Sequence, residues 1–354
     1  MRVVHVIRSD GFAGVERHVA VLARAQAANG DDVVIIGGDR DRMTATLPDG
    51  SVELRSGNTV AEALRSLQSA AADADLLHAH MTAAEFVAAM VGSVGRARRL
   101  PLIATRHFAA RRGSSVPGRA SAALIASRLT AQISISRFVA DRIDGTSEVV
   151  YPGVEAIDAP APTRGRTVLV VQRLEPEKRT DVAIRAFAAS GLADDGWRLK
   201  VAGHGSLLVE LERLTEELGI SARVDFLGPR RDVAELMSRS AILLAPCPIE
   251  GLGLVVLEAM AAQLPVVASA AGGHLETLPA QAHAFCFEAN DANAASRSLV
   301  RLAGDSALRA RLAAAGLSRQ REFFTPAAQA IATEKVYRAA LAGRTMGQRP
   351  EGER

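Results

Sequence analysis

Two carboxylates in the segment EGLGLVVLE, Glu250 and Glu258, stand eight positions apart around a glycine-spaced turn, and the apolar run beyond them continues to Ala268. A carboxylate is rarely placed where it must lose water unless something binds it. On a helix over 253–263, Glu258 is set to accept hydrogen bonds from ribose-like hydroxyls, and Glu250, just outside, is set to reach a sugar. Gly251 and Gly253 let the backbone amides of the helix start approach an anion closely. The other reading of Glu258 is a buried salt bridge with an arginine, which gives no reason for the glycine spacing.

Further groups fit anion chemistry. Arg173 and Lys178 in TVLVVQRLEPEKRTDVAIRAFA flank a proline-bearing turn after a strand, where two cations can clamp a diphosphate. In a chain with 42 Lys and Arg the alternative is a pair of solvated loop charges. Gly11 and Gly14 in SDGFAGVERHVAVLA sit on a turn into a helix whose free amides favour phosphate, or they serve the geometry of a tight turn alone. No third glycine completes GxGxxG, so a dinucleotide site is weakly supported. His78 and His80 share one strand face, but no carboxylate or cysteine completes a metal set, which favours a structural or acceptor-contact role. Asp39-Arg40-Asp41 and Asp73-Ala74-Asp75 match a DxD metal-binding pair by type, and Asp75 also simply opens a strand. A GxSxG nucleophile is absent.

The elements that must position these groups alternate from end to end. Strands are expected at 2–8, 33–37, 75–80, 102–106, 131–135 and 148–151, with helices at about 15–28, 60–72, 82–94 and 117–129. The proline-rich 151–166 reads as a linker and hinge. Alternation then resumes with strands at 167–171, 198–203, 224–228, 241–246, 265–269 and 284–288, and helices at about 180–190, 206–218, 231–239 and 253–263. Helices at about 291–303, 306–320 and 326–342 follow, and RTMGQRPEGER is expected to fray. Two doubly wound α/β domains are the simplest account, with ligands at the carboxyl ends of strands in a cleft between them.

Composition agrees and excludes little. The 354 residues are 48% apolar with a net charge of +3, which suits a two-domain globular chain and implies no nucleic-acid partner. Cys247 and Cys286 lack ligand-spaced neighbours and read as buried thiols in a reducing cytoplasm. The apolar run at the N-terminus is too short for a signal peptide, and nothing is long enough to span a membrane.

The stretch RLEPEKRTDVAIRAF, then VAGHGS, then VDFLGPRRDVAELMSRSAILLAPCPIEGLGLVVLEAMAAQLPVVASAAGG, resembles the donor-binding half of the GT-B retaining glycosyltransferases of family 4. GVERHVAVLA, LLHAHMT and ATRHF resemble the acceptor half more loosely. The resemblance implies a GT-B fold, two Rossmann-like domains facing across a cleft: an acceptor-side domain over 1–155, onto which the helix at 326–342 packs back, and a donor domain over 165–325. It implies that Arg173 and Lys178 hold a diphosphate, Glu258 the ribose, and Glu250 with the amides of Gly251, Leu252, Gly253 and Leu254 the donor sugar. Gly14 would lie under phosphate and acceptor, and His107 beside the transferred sugar. Three positions depart from the pattern: Gln172 and Gln263 stand where glycine is usual, so that Gln172 is expected to crowd its loop, and His274 where proline is common.

The expected activity is transfer from a nucleoside diphosphate-sugar to an acceptor hydroxyl with retention. The departing diphosphate assists deprotonation, and neither a metal nor another cofactor takes part. Closure of the domains would exclude water. The rival readings are a non-catalytic nucleotide-sugar-binding subunit and an epimerase on the same fold. Acceptors stay open among a lipid-linked glycan, a polysaccharide precursor and a small metabolite. The basic segment 107–129 reads either as a face that touches anionic lipid on the inner side of a membrane or as a solvated loop and ordinary surface helix.

Overall fold

The computed structural model describes residues 1–47, 50–113, 116–157 and 164–343. RTMGQRPEGER and the middle of the 151–166 linker lie outside the described residues. The chain divides into two compact units, Met1–Gly153 with the segment from Pro326 onward, and Val154–Thr325.

The first unit runs β1 (Arg2–Val6), α1 (Gly14–Ala28), β2 (Asp32–Ile36), α2 (Arg40–Thr46), β3 (Val52–Arg55), α3 (Val60–Ala70), β4 (Leu76–His80), α4 (Thr82–Val91), β5 (Leu102–Arg106), α5 (Val116–Arg128), β6 (Leu129–Ser134), α6 (Arg137–Ala140) and β7 (Glu148–Val149). Its seven strands are ordered β3-β2-β1-β4-β5-β6-β7, and every pairing is parallel. A parallel sheet needs helices on both faces, which is why these strands read as unbroken apolar runs. Side chains still alternate. Val4, Val6, Leu77 and Ala79 point into a core shared with α3, α4 and α5, whereas Val3 and Leu76 point to the opposite face.

The second unit runs β8 (Thr167–Val171), α7 (Thr180–Ala189), β9 (Arg198–Ala202), α8 (Leu208–Glu217), β10 (Val224–Gly228), α9 (Val233–Arg239), β11 (Ile242–Ala245), α10 (Leu254–Ala261), β12 (Val266–Ser269), α11 (His274–Thr277), β13 (Cys286–Phe287), α12 (Ala292–Gly304) and α13 (Ser306–Phe323). The six strands are ordered β10-β9-β8-β11-β12-β13, again all parallel. Both sheets therefore reverse direction beside their first strand, the doubly wound order. The last helix, α14 (Pro326–Leu341), belongs to the first unit, where Val336 and Tyr337 pack on Val3, Leu76, Ile103 and Ile133. Burying each such side chain stabilises by about 1.5–3 kcal/mol.

The expected α/β, doubly wound architecture holds, with local corrections. Sequence pattern passes over α2 and β3 because the helix is seven residues of mostly polar character and VELR is an edge strand with two apolar residues. The strand expected over 284–288 is two residues long, since Ala280–Phe285 winds into a 3-10 turn instead. No helix among the described residues is long and apolar enough to cross a membrane.

Candidate active site

In the second unit the sheet reverses between β8 and β11, so the loops after these strands flank the position where open α/β sheets receive ligands. The loop after β8 carries Arg173 and a 3-10 turn, Pro176–Lys178. The loop after β11 carries Cys247 and the Glu250–Gly253 turn into α10. Lys178 Nζ bonds Glu250 Oε2 at 2.7 Å. Burial alone would raise the Glu250 carboxyl, but the Lys178 ammonium beside it more than offsets this and holds it below its ordinary value. Burial likewise opposes the charge on Lys178, yet Glu250 holds its pKa above the ordinary value. Arg173 differs: its side chain is 61% exposed and paired with Glu177 at 2.7 Å, a contact that contributes little in water. Glu258 lies buried in α10.

Close backbone packing sets these loops. A Cβ at Gly203 would stand 1.8 Å from the Gln172 carbonyl oxygen, and one at Gly205 would stand 2.4 Å from that of Leu174. The loop after β9 thus presses on the Arg173 loop, and Leu174 N donates to the His204 carbonyl at 2.9 Å. On the other side, Gly272 and Gly273 underlie the Glu250 turn, with Gly273 N donating to Glu250 O at 2.8 Å. Thr277 Oγ1 donates to Leu252 O at 2.7 Å, and the His274 ring abuts Gly253, whose φ is +93°. The Glu250 and Leu252 carbonyls are thus held by the segment from Gly272 to Thr277.

Gln172 does not crowd its loop. Its Nε2 donates to Lys178 O at 3.0 Å and to Thr180 Oγ1 at 2.8 Å, so it braces the turn that carries Lys178. At Gln263 the missing glycine leaves a residue at φ +55° just past α10.

In the first unit Gly14 opens α1, and Glu16 Oε2 accepts from Ala13 N at 2.8 Å. The chain's own carboxylate therefore occupies part of the anion-favouring helix end. His107 follows β5 and is 8% exposed, with its pKa pushed down by burial to about 3. His78 and His80 are not isolated: register sets His5 of β1 opposite His78, and nitrogens of His5, His78 and His80 lie within 4.8 Å of one another. Sequence alone missed His5 because the β1–β4 adjacency is a crossover. One carboxylate of each DxD triplet is committed to the fold: Asp75 Oδ2 accepts from Arg2 N, and Asp39 caps α2.

The basic segment also turns inward in part. Arg112 has a 2% exposed side chain and bonds Glu85 and Asp144, each at 2.5 Å, which corrects the reading of it as a solvated or lipid-facing charge. A cavity of about 570 Å³ lies at the amino ends of the second sheet, between Arg166, Trp197 and Arg309. It is remote from the strand carboxyl ends, and Arg164 on its wall is committed to the carbonyls of Met237, Ser240, Ala262 and Gln263.

Two Rossmann-like units of parallel strands, one with a cation–carboxylate pair at a glycine-built turn on its switch point, define the GT-B class of α/β proteins. The model for glycosyl transferases group 1 matches residues 156–319, and that for glycosyltransferase family 4 matches 12–156. A D-inositol 3-phosphate glycosyltransferase of Salinispora tropica is 31% identical over 91% of this chain and 77% of its own length. An exopolysaccharide phosphotransferase of Streptomyces coelicolor is 34% identical over 41% of this chain, and this chain spans only 16% of that protein. The crystal structure of HepE from Anabaena in complex with UDP and glucose superposes with a TM-score of 0.80 at 19% identity, covering 96% of this chain and all of that one. The chain belongs to the GT-B glycosyltransferases of these group 1 and family 4 models.

Proposed function

We propose that this glycosyltransferase moves a sugar from a nucleoside diphosphate donor to an acceptor hydroxyl with retention of the anomeric configuration and without a catalytic metal. The observation that carries the reading is the Lys178–Glu250 pair beside the first turn of α10, with Glu258 buried one turn further on. The anomeric carbon–oxygen bond breaks with its electron pair passing to the diphosphate. Arg173, Lys178 and the amides of Gly251, Leu252, Gly253 and Leu254 meet that charge with fixed dipoles and cations. The acceptor oxygen bonds the anomeric carbon on the same face, and its proton passes to the departing phosphate. Glu258 accepts from the ribose hydroxyls and Glu250 from the donor sugar, while Gly14 lies under the phosphate and acceptor and His107 beside the transferred sugar.

UDP is the first nucleotide to test, because the HepE complex contains it. The name of the Salinispora relative makes a cyclitol phosphate the first acceptor. The deciding experiment is calorimetric titration of the purified chain with UDP, GDP and ADP in EDTA, repeated on Glu258→Ala. One nucleotide binding without metal, weakened about tenfold or more in the variant, is expected from loss of a charge-assisted hydrogen bond. Binding of none, or binding that requires a divalent cation, overturns the reading. Products that stay nucleotide-linked would point instead to an epimerase.

A further inference from the structure

Strand alternation and the β1–β4 register bring histidines together on one face of the first sheet. His78 and His80 are two apart on β4, His5 is opposite His78, and all three are fully buried. From them a continuous hydrogen-bonded path leads to His107. The Tyr337 hydroxyl on α14 lies 2.5 Å from His78 Nδ1 and 3.2 Å from Gln26 Nε2. Gln26 Oε1 lies 2.8 Å from His5 Nε2. His5 Nδ1 is 3.1 Å from His80 Nε2, and His80 Nδ1 is 3.2 Å from His107 Nε2.

A neutral imidazole has one donor and one acceptor, so the direction of one bond in such a path fixes the rest. These rings are neutral, since burial pushes His5 down to about 4 and His78 and His80 well below the ordinary range. Two orientations satisfy every contact, and Tyr337 chooses between them. A phenol is a better donor than acceptor, and an imidazole nitrogen accepts more strongly than an amide oxygen, so its proton goes to His78 across the shorter contact. The phenol oxygen then accepts from the Gln26 amide NH2, which turns the Gln26 carbonyl toward His5. His5 donates through Nε2, His80 donates through Nε2 to His5, and His107 donates through Nε2 to His80.

We propose that Tyr337, Gln26, His5 and His80 are positioning residues that hold His107 in the Nε2–H tautomer and leave the Nδ1 lone pair to accept from a hydroxyl of the substrate. Nδ1 makes no hydrogen bond among the described residues. A lone pair there receives a hydroxyl and repels a phosphate or carboxylate oxygen, so the position selects for a hydroxyl. The selection rests on His107 lying beside the transferred sugar, as proposed above, whereas the tautomer does not. The same helix fixes His18 in the opposite sense. Gln329 Oε1 accepts from Gly153 N at 2.7 Å, so its NH2 faces the His18 ring, 3.1 Å from Nε2 and 3.5 Å from Nδ1, and the shorter contact assigns the His18 proton to Nδ1. A metal reading of His5, His78 and His80 is disfavoured because all six ring nitrogens are already hydrogen-bonded.

Long-range proton–nitrogen NMR of the full ¹⁵N-labelled chain at neutral pH reads the tautomers directly, with His107 assigned through His107→Asn. The expected result is a protonated Nε2 and bare Nδ1 on His107, with His18 reversed in the same spectrum. Tyr337→Phe should release the path, giving His107 a mixture of both tautomers. A wild-type His107 with the proton on Nδ1 overturns the proposal even if the variant fails to fold. Unchanged His107 signals in folded Tyr337→Phe remove Tyr337 from its role. Stoichiometric zinc shifting His5, His78 and His80 would make the cluster a metal site and overturn it. UDP titration, which tests the donor reading, leaves these signals unmoved, so the two can fail separately.

Discussion

Lys178 Nζ lies 2.7 Å from Glu250 Oε2, although the residues are 72 positions apart and come from loops after different strands. The pair joins the two loops that we assign to the donor. Lys178→Ala should weaken UDP binding by about tenfold to a hundredfold, the equivalent of roughly 1.5–3 kcal/mol for a charged hydrogen bond. Calorimetry decides it, and unchanged affinity would remove Lys178 from the diphosphate site.

The same pair gives a pH signature. Glu250 is held below its ordinary 4.5, so its contribution is present above that value and is lost as acid takes the pH down through the folded pKa. Lys178 is held above its ordinary 10.5, so its contribution is present below that value and is lost as base carries the pH up through the folded pKa. The stability difference between wild type and a Lys178→Met/Glu250→Gln double variant should thus stay flat from about pH 5 to 10 and shrink at both ends. Urea unfolding across pH checks this. A difference that changes through neutral pH would show that other groups dominate.

Gly272→Ala tests the backbone beneath the site. The added Cβ would lie 2.3 Å from the Glu250 carbonyl oxygen, at φ +60°. The Glu250 turn must shift, which costs roughly 1–3 kcal/mol as overpacking does. UDP affinity should fall although position 272 has no side chain to contribute. Full affinity with a folded protein would mean that the turn's position is unimportant to the ligand.

Much of this site was legible in the sequence, for identifiable reasons. Glu250 and Glu258 stand out as charges among apolar neighbours, and Arg173 and Lys178 stand out at a strand end. Strand-length apolar runs gave β8 to its ends, 167–171, and β10 as 224–228. Pairings across crossovers were not legible. His5 opposite His78, Tyr337 against Gln26 and Arg112 against Glu85 depend on strand order and helix return, for which local pattern carries no signal. The bracing role of Gln172 was also hidden, because a glycine's absence shows where freedom is lost but not what the new side chain bonds.

Gln263→Gly should stabilise the second unit. The residue holds φ +55° at the C-terminal end of α10, where a Cβ costs about 1–2 kcal/mol. Glycine relieves this strain but gains freedom in the unfolded chain, for a net gain of about 0.5–1 kcal/mol. Arg164 donates to the backbone oxygen of Gln263, a contact that the substitution keeps. Thermal unfolding measures the change, and a lower Tm would show that the Gln263 side chain contributes more than its strain.

Glu85→Gln tests the charge cluster under the end of β5. Glu85 is fully buried and bonds Arg112 Nε, while Arg106 Nε lies 3.8 Å from its other oxygen. Asp144 bonds both arginines, at 3.0 Å to Arg106 and 2.5 Å to Arg112. Two guanidiniums thus face two carboxylates, and removing one carboxylate leaves a buried cation undercompensated, which costs about 3–5 kcal/mol. Replacing both Glu85 and Arg112 by Leu and Met should cost less than the single change, because a pair lost together leaves no orphaned charge. Urea unfolding of wild type, Glu85→Leu, Arg112→Met and the double variant measures the coupling, and additive effects would show that the bond contributes nothing. Arg106 directly precedes His107, so a change in this cluster is expected to reach the ring whose tautomer we assign. Folded Glu85→Gln should therefore shift the His107 nitrogen signals while leaving UDP affinity unchanged, which separates a local effect on the first unit from a general loss of structure.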